Sequence, residues 1–176
     1  MKDFLEKIGS YQILTNLLPG VLFCIGINFL FGISLPADNI GEELAVCYFL
    51  GLFINRFGSL IVEPFLKKIK FLKFAPYKEF VEATLADPKV DILSETNNYL
   101  RSLVSCVILM PCAWIVQRCS LQWSWFAATW KYVALVAALT VLLLSYRKQT
   151  KYVCRRVESV NEIARKPIAT TVERKR

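Results

Sequence analysis

The chain has 176 residues, 55% hydrophobic and 20% charged, with a net charge of +8 and no histidine. Soluble domains run about 45–50% apolar and about 25% charged, so this balance, with a mean hydropathy of +0.42, points to a membrane protein. The missing histidine excludes the usual general base near neutral pH, Ser-His and Cys-His nucleophile pairs, imidazole zinc sites and any arginine–histidine ribonuclease motif.

Residues 1–16 place Phe4, Leu5, Ile8 and Tyr11 on one helical face, opposite Lys2, Asp3, Glu6 and Lys7. That pattern predicts a short amphipathic helix on the membrane surface, weakened by Gly9. Residues 17–35 carry no charge and would extend about 28 Å as helix, close to the roughly 30 Å hydrocarbon core. Asn16 reads as the N-cap of this first span, and Pro19 falls in its first turn. The apolar run is longer than the roughly 7–15 residues of a signal-peptide core and no small-x-small site follows, so it is expected to be retained.

A second apolar stretch, 44–66, is interrupted by Asn55, Arg56 and Glu63. In the loop that follows, Pro76 is expected to open a helix over Tyr77–Ala86 that Asp87-Pro88 ends. Ser94 then resembles the N-cap of a helix running into a third span, 103–116, which extends back through Tyr99 and contains Pro111. The fourth span, 125–146, is charged only at Lys131 and has Trp123, Trp125 and Trp130 at its outer end, as an interfacial belt would. Between Cys112 and Lys166 there is no proline or glycine. The fourth span therefore continues outward as one helix, with an apolar stripe at Val153, Val157, Val160 and Ala164. That stripe is expected to pack on the 67–100 loop or on a neighbouring subunit, and residues 167–176 to be disordered.

The fold class is thus all-α: a polytopic membrane protein with four transmembrane helices and a small helical cytoplasmic cap. The expected divisions are 1–16, the interfacial helix; 17–66, spans one and two; 67–98, a cytoplasmic helical loop; 99–146, spans three and four; and 147–176, a basic helix and tail. Nineteen of the 22 basic residues fall in the amino-terminal segment, the middle loop and the tail. By the positive-inside rule both termini are expected to be cytoplasmic.

The sharpest chemical signal is the polar group in span two. An arginine at bilayer depth costs at least about 2.5–3.5 kcal/mol on insertion scales, so Arg56 needs a partner, a cavity or water. Ser59 and Glu63 follow it on one face, Asn55 stands beside it, and Asn28 in span one is placed to hydrogen-bond across. One reading makes Asn55, Arg56, Ser59 and Glu63 the lining of a pore built from several copies of span two. The other makes Arg56 and Glu63 a packing pair bridging two turns. A span leaving the membrane near Asn55 would carry Glu42 and Glu43 inward, which disfavours it. Gly51 and Gly58 share a face and offer close helix packing.

The six cysteines form no C-x-x-C and read as small hydrophobes, with Cys119 alone placed for an oxidising compartment. No metal site, cofactor site or catalytic group is expected, and there is no Walker, G-x-S-x-G or Rossmann pattern. The carboxylates Asp87, Asp91 and Glu95 read as a solvated loop. The tail carries +7 over residues 147–176, including Arg147, Lys148, Lys151, Arg155 and Arg156. It fits anionic lipid headgroups or a cytoplasmic partner better than nucleic acid, because Tyr152 is its only aromatic after Tyr146.

Several segments are similar to a group of small bacterial membrane proteins: Ile8-Gly9-Ser10-Tyr11 through Asn16-Leu17-Leu18-Pro19-Gly20, Asn55-Arg56-Phe57-Gly58-Ser59, Glu63-Pro64, Phe74-Ala75-Pro76-Tyr77-Lys78 and Leu93-Ser94-Glu95-Thr96-Asn97-Asn98. In overall plan the chain also resembles the membrane accessory proteins of type VI-B CRISPR loci and other phage-defence systems. The resemblance implies an inner-membrane homo-oligomer that permeabilises the membrane or modulates a cytoplasmic effector protein. The residues alone leave open an oligomeric pore or a non-conducting anchor for a soluble partner. A transporter-like or lipid-modifying enzyme subunit is a third class that no internal repeat between spans one-two and three-four supports.

Overall fold

The computed structural model describes residues 2–34 and 38–173, and side chains for 15–34 and 38–163. Among these residues the chain is all helix: α1 (Lys2–Phe31), α2 (Ile40–Phe57), a π-helical turn (Gly58–Val62), α3 (Glu63–Lys68), α4 (Tyr77–Ala86), α5 (Lys89–Gln122) and α6 (Ser124–Glu173). Three rods are long and apolar enough to cross a membrane: Ile40–Lys68, which joins α2 to α3 through the π turn, Lys89–Gln122, and Ser124–Ile163. A shorter apolar helix, Thr15–Phe31, accompanies them. This is the coarse plan expected of a multi-span membrane protein.

The four rods run up and down between a basic end and an opposite end. Asn16 meets Asn55, Glu63 meets Arg101, and Ser59 meets Lys148 at the basic end. Phe31 meets Trp114 towards the other, with ring centroids 6.1 Å apart. Between these levels lies a small apolar core of Phe23, Ile27, Ile54 and Cys106.

The closest approach is between α1 and α2, and glycine makes it possible. A Cβ on Gly20 would lie 1.7 Å from the Cys47 carbonyl oxygen, and one on Gly51 would lie 1.6 Å from that of Asn16. Gly58 instead admits α5, where a Cβ would meet Ser105 Oγ at 2.4 Å. Gly51 and Gly58 thus do the packing work read from the sequence, on two different partners, while Gly20 went unread. In α5, the Ser102 and Ser105 hydroxyls bond back to the Asn98 and Arg101 carbonyls, so they sit fully buried without a polar penalty.

Several local expectations change. α1 runs unbroken from Lys2 to Phe31, so the segment expected at the membrane surface continues directly into the first apolar stretch; the side chains of Phe4, Leu5, Ile8 and Tyr11 lie outside those described. Asn16 is buried inside α1 and is no N-cap. Helix α1 ends at Gly32, whose φ of +67° is the left-handed conformation glycine adopts without strain. Helix α2 begins with a capping box: Asn39 Oδ1 accepts from the Glu42 backbone N–H at 2.9 Å, and the Glu42 carboxylate returns to Asn39 and Asp38.

Helix α4 spans the expected Tyr77–Ala86, but α5 begins at Lys89 rather than at Ser94. Asp87 Oδ1 accepts from the Lys89 N–H at 2.9 Å, and Pro88 sits where a missing N–H costs nothing, so the pair that ends α4 also starts α5. In α6 the helical backbone continues to Glu173, through residues expected to be disordered; residues 174–176 lie outside those described.

The rods differ in length. Phe31, the last residue of α1, is level with Trp114, so α5 continues roughly 12 Å past it, eight residues at about 1.5 Å each, to Gln122. Trp123 and Trp125 stack at that outer turn, their centroids 6.4 Å apart. No residue in the most apolar stretch of α6 is buried.

Candidate functional site at the basic end

The polar residues of α2 gather at the level where its neighbours change from apolar to polar. Asn16 precedes the apolar part of α1, Arg101 precedes that of α5, and Lys148 follows that of α6. Arg56 therefore stands level with the polar ends of three neighbouring apolar stretches, not among their apolar residues.

Three rods contribute to one connected hydrogen-bond network. Glu63 is 7% exposed, and its carboxylate accepts from Arg101 Nη1 at 2.7 Å and from Lys67 Nζ at 2.8 Å. Arg101 Nη2 donates to Asn55 Oδ1 at 3.1 Å, and Asn55 Nδ2 donates to Asn16 Oδ1 at 2.9 Å. The anticipated Arg56–Glu63 pair does not form: Glu63 is taken by Arg101 and Lys67.

Lys148 enters for a reason set by Pro64. In the π turn the Glu63 N–H bonds to the Gly58 carbonyl, so the next carbonyl, that of Ser59, would accept from residue 64. Residue 64 is proline and has no N–H to give. Lys148 Nζ supplies the missing donor, lying 2.5 Å from the Ser59 carbonyl and 2.8 Å from Ser59 Oγ. A backbone defect in α2 thus anchors α6. Lys148 had been read as part of a basic outer surface and is turned inward instead.

These groups line a cavity of about 720 Å³ between the rods. Its mouth is framed by Tyr77 and Phe80 of α4, Ser94, Asn97 and Asn98 of α5, and Gln149, Tyr152 and Arg155 of α6. Helix α4 holds that frame against α6: the Tyr77 and Tyr152 rings are 5.9 Å apart, Tyr77 Oη reaches the Tyr152 carbonyl at 3.5 Å, and Lys78 pairs with Glu162. The hydrogen bond to Glu162 raises the Lys78 pKa above its ordinary value.

Other candidates lie elsewhere. Asn28 is exposed and lines a separate, smaller cavity towards the opposite end with Cys24, Ser34, Glu43 and Cys47, far along the rods from Asn55. In that place Cys47 Sγ is 3.3 Å from Cys24 Sγ. All six cysteines are free thiols, and among the described residues no group of ligand types could hold a metal. Arg147 and Lys151 are exposed, Arg156 is half-buried, and Arg155 lines the basic-end cavity. Val153, Val157 and Val160 remain exposed rather than packed on the loop, because Tyr152 and Glu162 face α4; the side chain of Ala164 lies outside those described.

Sequence reasoning missed Asn16, Lys67, Arg101 and Lys148 as members of the site. The signal for three of them was position: each ends an apolar stretch at the same edge, and a buried Glu63 needs cations. No protein-family model matches the chain, and neither a curated protein nor a solved structure does.

Proposed function

We infer that the protein is a non-enzymatic inner-membrane anchor that presents the end of α6 to a cytoplasmic partner protein. The supporting observation is the uncovered stripe of Val153, Val157 and Val160, which follows the polar layer along α6. Residues 148–163 reach about 24 Å past that layer at ~1.5 Å per residue, a long lever for a chain with nothing to display. Exposed Arg147 and Lys151 and half-buried Arg156 edge the same helix, so the complementary partner is apolar along a strip and acidic at its rim. The fold crosses the membrane four times in this reading, α1 included, with both termini cytoplasmic by the distribution of lysine and arginine. The resemblance to phage-defence accessory proteins supplies a setting in which the partner is an effector.

The oligomeric pore is the weaker reading. Asn55 and Glu63 are satisfied by Asn16, Arg101 and Lys67 of the same chain, and Ser59 by Lys148, so no second copy is needed to complete them. Site-specific photocrosslinking from Val157 in living cells tests the choice. The anchor predicts an adduct with a soluble protein that disappears in a Val153→Asn/Val160→Asn variant whose membrane insertion is unchanged. An adduct with a second copy alone favours the oligomer, for which ion conductance in reconstituted bilayers is then required. No adduct of either kind refutes the docking role of the stripe.

A further inference from the structure

We propose that the basic-end cavity is a binding site for a phosphate group, delivered by an anionic lipid headgroup or by a soluble mononucleotide. Five cations line it, Arg56, Lys67, Arg101, Lys148 and Arg155, against the single carboxylate of Glu63. Both oxygens of that carboxylate are already engaged, one by Lys67 and one by Arg101. Glu63 also attracts Lys148, which leaves Arg56 and Arg155 without an acidic counterpart in the lining. Arg56, Lys67 and Arg101 all lie close enough to Lys148 to repel it.

Two donors point to an unmet acceptor. Among the described residues Arg101 Nε is buried without a hydrogen-bond partner, a cost relieved where a small shift of the cavity wall lets an acceptor reach it. Among the described residues Arg56 makes no hydrogen bond or ion pair, although it lines the cavity at the same level. Arginine forks match phosphate oxygens in pairs, and a cation-lined cleft with apolar walls concentrates anions. The cavity volume of about 720 Å³ lies within the roughly 300–1,000 Å³ of ordinary ligand sites. Its place at the edge of the apolar slab is headgroup height, and Tyr77 and Tyr152 at the mouth offer faces on which a base would stack. Both deliveries thus share one chemistry, phosphate on arginine. The site is separate from the valine stripe and does not depend on its partner.

The test has two arms, each run on the full chain and on an Arg56→Gln/Arg155→Gln variant. Neither arginine forms a structural bond, so the variant is expected to fold, with an unchanged circular dichroism spectrum and unliganded melting point. In detergent, inorganic phosphate or adenosine monophosphate is titrated against chloride at equal ionic strength, and the melting temperature is followed. In nanodiscs of phosphatidylcholine with or without phosphatidylglycerol, native mass spectrometry reads the retained lipid. Stabilisation by phosphate or the nucleotide, weakened about tenfold or more in the variant, supports the site with a soluble source. Selective retention of phosphatidylglycerol, lost in the variant, supports it with a lipid source. An Arg56→Lys/Arg155→Lys variant should recover part of either signal, which separates lost charge from lost fold. Binding in neither arm, or equal binding by the glutamine variant, overturns the proposal.

Discussion

Replacing Glu63 by glutamine tests the polar layer most severely, because the change keeps the shape and removes only the charge. The Glu63 residue is 7% exposed and the Arg101 side chain 18%, with 2.7 Å between their atoms. Breaking a buried pair by removing one partner costs about 3–5 kcal/mol, since the other charge stays buried. The Lys67 bond adds little, no more than about 0.5 kcal/mol, because that lysine is 41% exposed. Arg101 borders a cavity rather than a sealed core, which places the expectation at the lower end, about 3 kcal/mol. For a chain of this size that lowers the melting temperature by about 6–12 °C. Thermal melting in detergent, followed by circular dichroism, is the assay. A Glu63→Gln/Arg101→Met double variant should regain most of the loss, since both charges are then gone. A fall of less than about 2 °C for Glu63→Gln, or a double variant that loses the sum of the singles, would refute the buried pair.

Further outcomes follow from the same geometry. Gly20→Ala and Gly51→Ala force a methyl group onto backbone carbonyls of the facing helix and should each cost about 2–3 kcal/mol or more in melting experiments. Gly26→Ala meets only the flexible end of Met110, and Gly41→Ala touches Asn39 Oδ1 at 3.2 Å, so both should cost under about 1 kcal/mol. Lys148→Met leaves the Ser59 carbonyl without a donor and should cost about 1–3 kcal/mol, measured as a melting shift and absent when Pro64→Ala restores the backbone N–H. An oxidant that enters the apolar layer should join Cys24 to Cys47 within one chain, detectable by peptide mapping; a link from Cys24 to a different cysteine of the same chain would contradict the α1–α2 register.

The helices were legible because lipid leaves the backbone no other partner than itself, so each apolar run had to be a rod. Helix α4 was legible to the residue, since Pro76 and Asp87-Pro88 punctuate it without help from packing. What escaped was whatever depended on tertiary partners. Asn16 has the residue type of a cap, yet its acceptor oxygen is held by Asn55, thirty-nine residues away. Arg56 was singled out by its cost in lipid, but periodicity gives no depth, and only the partners of its neighbours show where the slab ends. Glu63 was paired with Arg56 of its own rod, whereas its carboxylate is shared between Lys67, four residues on, and Arg101 of another rod. The role of Lys148 could have been anticipated from Pro64, had the π turn that frees the Ser59 carbonyl been foreseen.

In the proposed topology the polar layer and its cavity open at the cytoplasmic side, with the tryptophan turn on the other. Single cysteines at Asn97 in the cavity mouth and at Trp123 in that turn, each in a cysteine-free background, test it with a membrane-impermeant maleimide. The account predicts that Asn97→Cys labels only in inside-out vesicles and Trp123→Cys only in intact spheroplasts. Labelling of Asn97→Cys from the outer face, or of both positions from the same face, would contradict it.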